Sequence, residues 1–212
     1  MHFQDRLEAG RLLARALARF KGQHPLVLAI PRGAVPMGQA VAEALGGELD
    51  VVLVRKIGAP DWAEYAVAAV DESGWVYRNP QVPDSPDLRA HIAAQREVEL
   101  ARIRQRRAQY TPGRGPVAVR GRTVIVVDDG LATGATMIAA LHGLRQQQPA
   151  QLVCAVPVAP PDILPKLGDL ADTVVCLHQA PDFQAVGQFY TDFSQVEDAE
   201  VIAVLRGPAA AP

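Results

Sequence analysis

Residues 124–137 read VIVVDDGLATGATM. Val124 to Val127 are four successive β-branched residues, which leaves no polar face and describes a strand buried on both sides. Asp128 and Asp129 follow at its carboxyl end, where open parallel sheets hold their ligands. In the loop beyond them, Gly130 and Gly134 permit backbone conformations that a Cβ opposes, and Thr133 and Thr136 carry hydroxyls. Met137 to Leu144 is then rich in helix formers. A helix start offers a phosphate both unpaired N–H groups and the positive end of the dipole. An ordinary capped helix needs one side-chain oxygen, not two adjacent carboxylates and two glycines. The stretch therefore reads as a phosphosugar site, with carboxylates for ribose hydroxyls and backbone N–H groups for a phosphate. Other phosphate loops do not fit, because neither G-x-x-x-x-G-K-[ST] nor a G-x-G-x-x-G after a strand occurs.

Two upstream segments share the strand-then-loop pattern. In LVLAIPRGAVPMG (26–38), Leu26 to Ile30 reads as a second buried strand. Pro31-Arg32-Gly33 follows as a turn and Met37 to Leu45 as a helix. In DVVLVRKIGAP (50–60), Val51 to Val54 reads as a third strand, with Arg55 and Lys56 at its end, where long cations can reach a polyphosphate. Taken alone, the first is equally a βα corner with a solvated arginine and the second a charged strand terminus.

DDGLATGAT resembles the phosphoribosyl pyrophosphate (PRPP) signature of type I phosphoribosyltransferases. The resemblance implies that Asp128 and Asp129 hold the ribose 2′ and 3′ hydroxyls. It implies that Gly130, Ala132, Thr133, Gly134, Ala135 and Thr136 surround the 5′-phosphate. Arg32 and Gly33 become the pyrophosphate loop, and Arg55 and Lys56 meet the pyrophosphate. The reaction implied is transfer of phosphoribosyl from PRPP to a nucleobase or amine, a small-molecule acceptor, with release of pyrophosphate. Mg²⁺ would sit on substrate oxygens, reached by Asp128 and Asp129 through water. Enzymes of this family acting on hypoxanthine and guanine usually carry Asp at the position of Ala132, so a 6-oxopurine acceptor is disfavoured. A flap over PRPP is implied for residues 60–80, with Glu64 as its catalytic acid/base candidate beside Asp128 and Asp129. VRKIGAP, VDDGLATGATM and A-V-G-x-F-Y-x-D-F further resemble a bacterial phosphoribosyltransferase-like group of unassigned acceptor, in which Gly is usual where this chain has Ala68. The competing class is a regulator that senses PRPP without turnover.

The rest of the chain accords with one α/β domain over 1–212, a doubly wound, mostly parallel sheet of the type I phosphoribosyltransferase kind. The chain is 49% hydrophobic and 21% charged with a net charge of -2, so neither nucleic acid nor an anionic membrane is generally attracted. Asp5, Glu8 and four arginines interrupt residues 1–21, so neither a signal peptide nor a membrane span is read and a cytoplasmic protein is expected. Cys154 and Cys176 lie in apolar strand-like runs and read as buried free thiols. Phe3 to Phe20, with Leu7, Leu12, Leu13, Leu17 and Phe20, reads as an amphipathic helix. Tyr65 to Val70 and Gly74 to Tyr77 read as a hairpin, and Leu152 to Val158 and Thr173 to Leu177 as further strands. Residues 83–112 read as an inserted long helix whose six arginines, interleaved with Glu97 and Glu99, suggest a solvated face or a subunit contact in a homodimer. Residues 178–206 concentrate Phe183, Phe189, Tyr190 and Phe193, either a hood that stacks a flat acceptor or a satellite core.

Overall fold

The computed structural model describes residues 1–62 and 65–207. In chain order these form α1 (Arg6–Ala16), β1 (Leu26–Ala29), α2 (Ala34–Leu45), β2 (Glu48–Val51), β3 (Val54–Gly58), β4 (Ala66–Asp71) and β5 (Val76–Arg78). They continue with α3 (Pro86–Tyr110), β6 (Thr123–Val127), α4 (Ala135–Gln146), β7 (Gln151–Ala159), α5 (Leu164–Gly168), β8 (Thr173–Gln179) and α6 (Asp198–Arg206).

The β-branched run of β6 occupies the middle of a five-stranded, all-parallel sheet ordered β2-β1-β6-β7-β8. Val124 to Val127 are wholly buried because helices cover both faces. Val124 and Val126 join the core of α4 and α5 with Met137, Leu141 and Leu167, whereas Ile125 and Val127 join that of α1 and α2 with Leu13, Met37 and Val41. Each such fully buried aliphatic side chain contributes roughly 1.5–3 kcal/mol. The chain winds outward in both directions from the β1/β6 pair, so the carboxyl ends of these two strands flank the topological switch point.

α1 is shorter and narrower than its apolar pattern suggests. Asp5 caps it by accepting from the Glu8 amide at 2.7 Å, and Leu7 is 44% exposed. The buried stripe is Ala9, Gly10, Leu13 and Ala14. A Cβ on Gly10 would sit 3.1 Å from Met37 Cα, so the two helices meet on small residues and leave no room for Leu7 in the seam.

The expected third strand is two strands in two sheets. β2 ends at Val51, the Val52 amide still donates to the sheet at Ala29, and Leu53 then donates to the Glu72 carboxylate. From Val54 the chain belongs to a separate antiparallel sheet, β3-β4-β5. Arg55 and Lys56 therefore lie within β3, opposite Val70 and Ala69, and not at a strand terminus. Val51 to Val54 is apolar throughout, and a continuous run carries no periodicity to mark where the chain changes sheets. The hairpin at residues 65–77 is present as β4 and β5, joined by a turn in which the Asp71 carboxylate accepts from the Ser73 amide, the Ser73 hydroxyl and the Trp75 amide. β4 is not exposed: Val67, Ala68, Ala69 and Val70 are at most 2% accessible, packed between α3 and α4.

α3 starts at Pro86, three residues later than the pattern suggests, with Pro in the first turn and Ser85 capping the Leu88 amide at 3.1 Å. Its arginines are not a uniformly solvated face. Arg107 is 8% exposed and donates to Asp50, to Glu72 and to the Val51 carbonyl, while Arg96 donates to the Gly74 carbonyl. Glu99, also buried, accepts from Arg55 and Arg102. The inserted helix is thus stapled by ions to β2, β3 and the β4-β5 turn. Among the described residues no helix is long and apolar enough to cross a membrane.

Candidate active site

β6 delivers Asp128 and Asp129 to the rim of the sheet, and α4 begins six residues later. Gly134 precedes α4 with φ +72°, and a Cβ there would lie 2.8 Å from Ile163. The turn therefore requires glycine twice over, for its backbone conformation and for the contact with the segment after β7. Together the two carboxylates, the loop of residues 130–136, Lys56 and Val186 line one cavity of about 200 Å³. Its size and its mixture of acids, helix-start N–H groups and one lysine suit a ribose bearing a phosphate. On the other side of the loop a cavity of about 210 Å³ is lined by Lys56, Tyr65, Tyr77, Asn79, Gln81 and Lys166, among others.

The two aspartates are held differently. Asp129 Oδ2 accepts from Arg6 Nε at 2.8 Å, both side chains being largely buried, and the Arg6 guanidinium also donates to the Ser194 carbonyl and lies over the Phe193 ring. Asp128 accepts only the Asp129 amide, at 2.9 Å, and pairs with no cation among the described residues. Burial and then the neighbouring Asp129 charge push the Asp128 carboxyl well above the usual carboxylate range, against weaker opposition from Lys56 and Arg6. Burial also raises Asp129, while Arg6 opposes it. Asp128 is thus a carboxylate whose charge the free protein leaves uncompensated, in keeping with a place where hydroxyl donors or a hydrated cation arrive. Among the described residues no cluster of three or more His, Cys, Asp or Glu exists. Mg²⁺ would accordingly fit there only with most of its oxygens supplied by substrate and water.

Arg32 and Gly33, expected to form a pyrophosphate loop, stand beside this cavity without lining it. Gly33 packs against Asp129 so closely that a Cβ would lie 2.0 Å from Oδ2 and 2.9 Å from Arg6 Nε. Gly33→Ala must therefore displace the carboxylate and break its bond to Arg6. Given the ~1.5–3 kcal/mol carried by a hydrogen bond to a charged group, Gly33→Ala should weaken any ligand that Asp129 grips at least about tenfold, as calorimetric titration of ribose 5-phosphate would read. Arg32 extends toward the start of α6, 3.6 Å from Glu197 and 3.8 Å from Asp198. Strand alternation separates the next pair, since Lys56 faces the loop of residues 130–136 whereas Arg55 faces α3 and donates to Glu99 at 2.7 Å. Glu64 lies outside the described residues.

The aromatic residues of 178–206 pack mainly on one another. Phe189 and Tyr190 are 6% and 5% exposed, with Phe183 against Phe189 and Phe3 against Tyr190. The Tyr190 hydroxyl donates to the Asp129 carbonyl at 2.6 Å, and Val186 covers Gly130, whose Cβ would meet it at 2.6 Å. Arg6, Tyr190 and Val186 are the site residues that local pattern misses. Arg6 sits on the polar side of an ordinary amphipathic helix, 123 positions from its partner, and no spacing rule connects them.

Residues 4–194 match the family model of the phosphoribosyl transferase domain. The chain is 41% identical over 204 residues to a protein of Mycobacterium tuberculosis provisionally named a phosphoribosyl transferase, found in strains CDC 1551 and H37Rv. That alignment covers 96% of this chain and 46% of the relative, so the chain spans about half the length of the curated relatives it matches. The crystal structure of TT1426 from Thermus thermophilus superposes with a TM-score of 0.82 at 44% identity, over 97% of this chain and 98% of that one.

Proposed function

Because the chain belongs to the phosphoribosyl transferase domain family, we propose that it transfers the phosphoribosyl group of PRPP to a nitrogen nucleophile of a small-molecule acceptor, releasing pyrophosphate. The observation that carries this reading is the single cavity shared by Asp128, Asp129, the start of α4 and Lys56. Asp128 and Asp129 accept the ribose hydroxyls, Arg6 and Tyr190 keep Asp129 in place, and the loop before α4 takes the 5′-phosphate. As the bond from the anomeric carbon to the diphosphate oxygen breaks, its electron pair leaves with pyrophosphate and positive charge spreads over that carbon and the ring oxygen. The acceptor nitrogen then bonds to the carbon and gives up its proton to water or to the departing pyrophosphate. The chain's part is orientation and electrostatic balance, and no covalent intermediate with a side chain is required. Asp128 and Asp129 would hold Mg²⁺ through water, and the ion would supply charge neutralisation of the leaving group.

Ala132 leaves the cavity wall without a carboxylate at the position where 6-oxopurine enzymes carry one. A panel of nucleobases and amines should therefore be screened with PRPP and Mg²⁺ for pyrophosphate release above the rate without acceptor. At least one acceptor should raise that rate, while hypoxanthine and guanine should leave it near the background. Efficient turnover of hypoxanthine would contradict the assignment of the acceptor. Tight PRPP binding with no release for any acceptor would instead support a sensor without turnover.

A further inference from the structure

Arg106 precedes the buried Arg107 on α3 and emerges on a different side of the helix. Its Nη2 lies 3.9 Å from one oxygen of Asp198, and the other oxygen of that carboxylate lies 3.8 Å from Arg32 Nη1 and accepts the Tyr110 hydroxyl at 2.6 Å. Glu197 stands 3.6 Å from the same Arg32 nitrogen. One carboxylate therefore gathers two guanidiniums, and every ion pair in the group is longer than a hydrogen bond and partly exposed. Such pairs are weak and readily exchanged for a better anion.

The place where they gather is informative. Arg106, Arg55 and Pro31 share a small cavity of about 80 Å³, and Pro31 opens the turn whose Gly33 abuts Asp129. Among the described residues only the Nε of Arg55 is engaged, by Glu99. Arg55 of β3 and Arg106 of α3 thus meet at Pro31, and Arg32, the next residue of that turn, shares Asp198 with Arg106. A planar guanidinium takes two phosphoryl oxygens at once, so two linked phosphoryl groups suit such a set better than a single carboxylate does.

We propose that Arg106 is a direct ligand of the diphosphate, acting with Arg32 and Arg55, and that Asp198 holds the arginines together until the diphosphate displaces it. This rests on PRPP being the substrate and assigns the inserted helix a part in binding it. The test is calorimetric titration of PRPP with Mg²⁺, and separately of ribose 5-phosphate, into the wild type, Arg106→Ala, Asp198→Asn and the exposed control Arg104→Ala. Arg106→Ala should weaken PRPP about tenfold or more while ribose 5-phosphate stays within about twofold of the wild type. Asp198→Asn should tighten PRPP severalfold, and Arg104→Ala should change neither ligand. Wild-type affinity for PRPP in Arg106→Ala, or equal loss of both ligands, overturns the role of Arg106. A wild type that binds neither ligand overturns the underlying reading of PRPP as substrate.

Discussion

Asp128→Asn with Asp129→Asn should lower PRPP affinity at least a hundredfold, and Asp128→Asn alone should make the free protein more stable. The first effect follows from losing the charge and one acceptor oxygen at each of the two residues assigned to the ribose hydroxyls, where a hydrogen bond to a charged group is worth ~1.5–3 kcal/mol. The second follows from the sign of the shift at Asp128, whose carboxyl is raised by burial and by Asp129. A carboxyl raised on folding favours the folded state when protonated, and that contribution is lost as pH rises through the folded value. At neutral pH, above the range where a free carboxyl titrates, the raised Asp128 carboxyl therefore opposes folding, and the isosteric amide relieves it. Tm should rise by about 2–4 °C, the change that ~1 kcal/mol brings in a chain of this size. The gap between variant and wild type should narrow as the solution is acidified and Asp128 takes up its proton. Unchanged PRPP affinity in the double variant would remove the central assignment, whereas a lower Tm in Asp128→Asn would show that this carboxylate stabilises the fold.

Arg107→Ala should be the most damaging single change outside the site. Its guanidinium meets Asp50 at 2.9 Å and Glu72 at 2.6 Å, and the Asp50 side chain is wholly buried. Truncation leaves Asp50 with the Val117 amide and a 3.4 Å contact to Arg114, an under-compensated charge in the interior. Breaking a buried pair from one side costs about 3–5 kcal/mol, hence on the order of 10 °C in Tm. Arg104→Ala, three residues away and exposed, should move Tm by no more than about 1–2 °C, as surface substitutions usually do. Equal melting of the two variants would mean that Asp50 and Glu72 find water or other partners when Arg107 is lost. Below its own Tm, Arg107→Ala should still bind ribose 5-phosphate, since α3 contributes nothing to the cavity proposed for the sugar.

VIVVDDGLATGATM was legible because everything it specifies is local. Four β-branched residues dictate a two-faced buried strand, adjacent carboxylates must emerge at its end, and a glycine ahead of helix formers must turn the chain there. The alternation of helices and strands, and with it a doubly wound parallel sheet, follows from the same short-range patterns. The placement of side chains across elements does not. Val51 to Val54 hides a change of sheet, so Arg55 and Lys56 look like one cationic pair until β3 sends them to opposite faces. The arginines of α3 are indistinguishable along the helix, and only the packing of β2 and the β4-β5 turn buries Arg107 and leaves Arg104 in solvent. Arg6, Gly33 and Tyr190 reach Asp129 from three distant parts of the chain. The sequence alone determined the backbone of the site, since propensity and periodicity act over a few residues. The tertiary structure decided which charges meet there, because such pairings depend on how distant strands and helices are brought side by side.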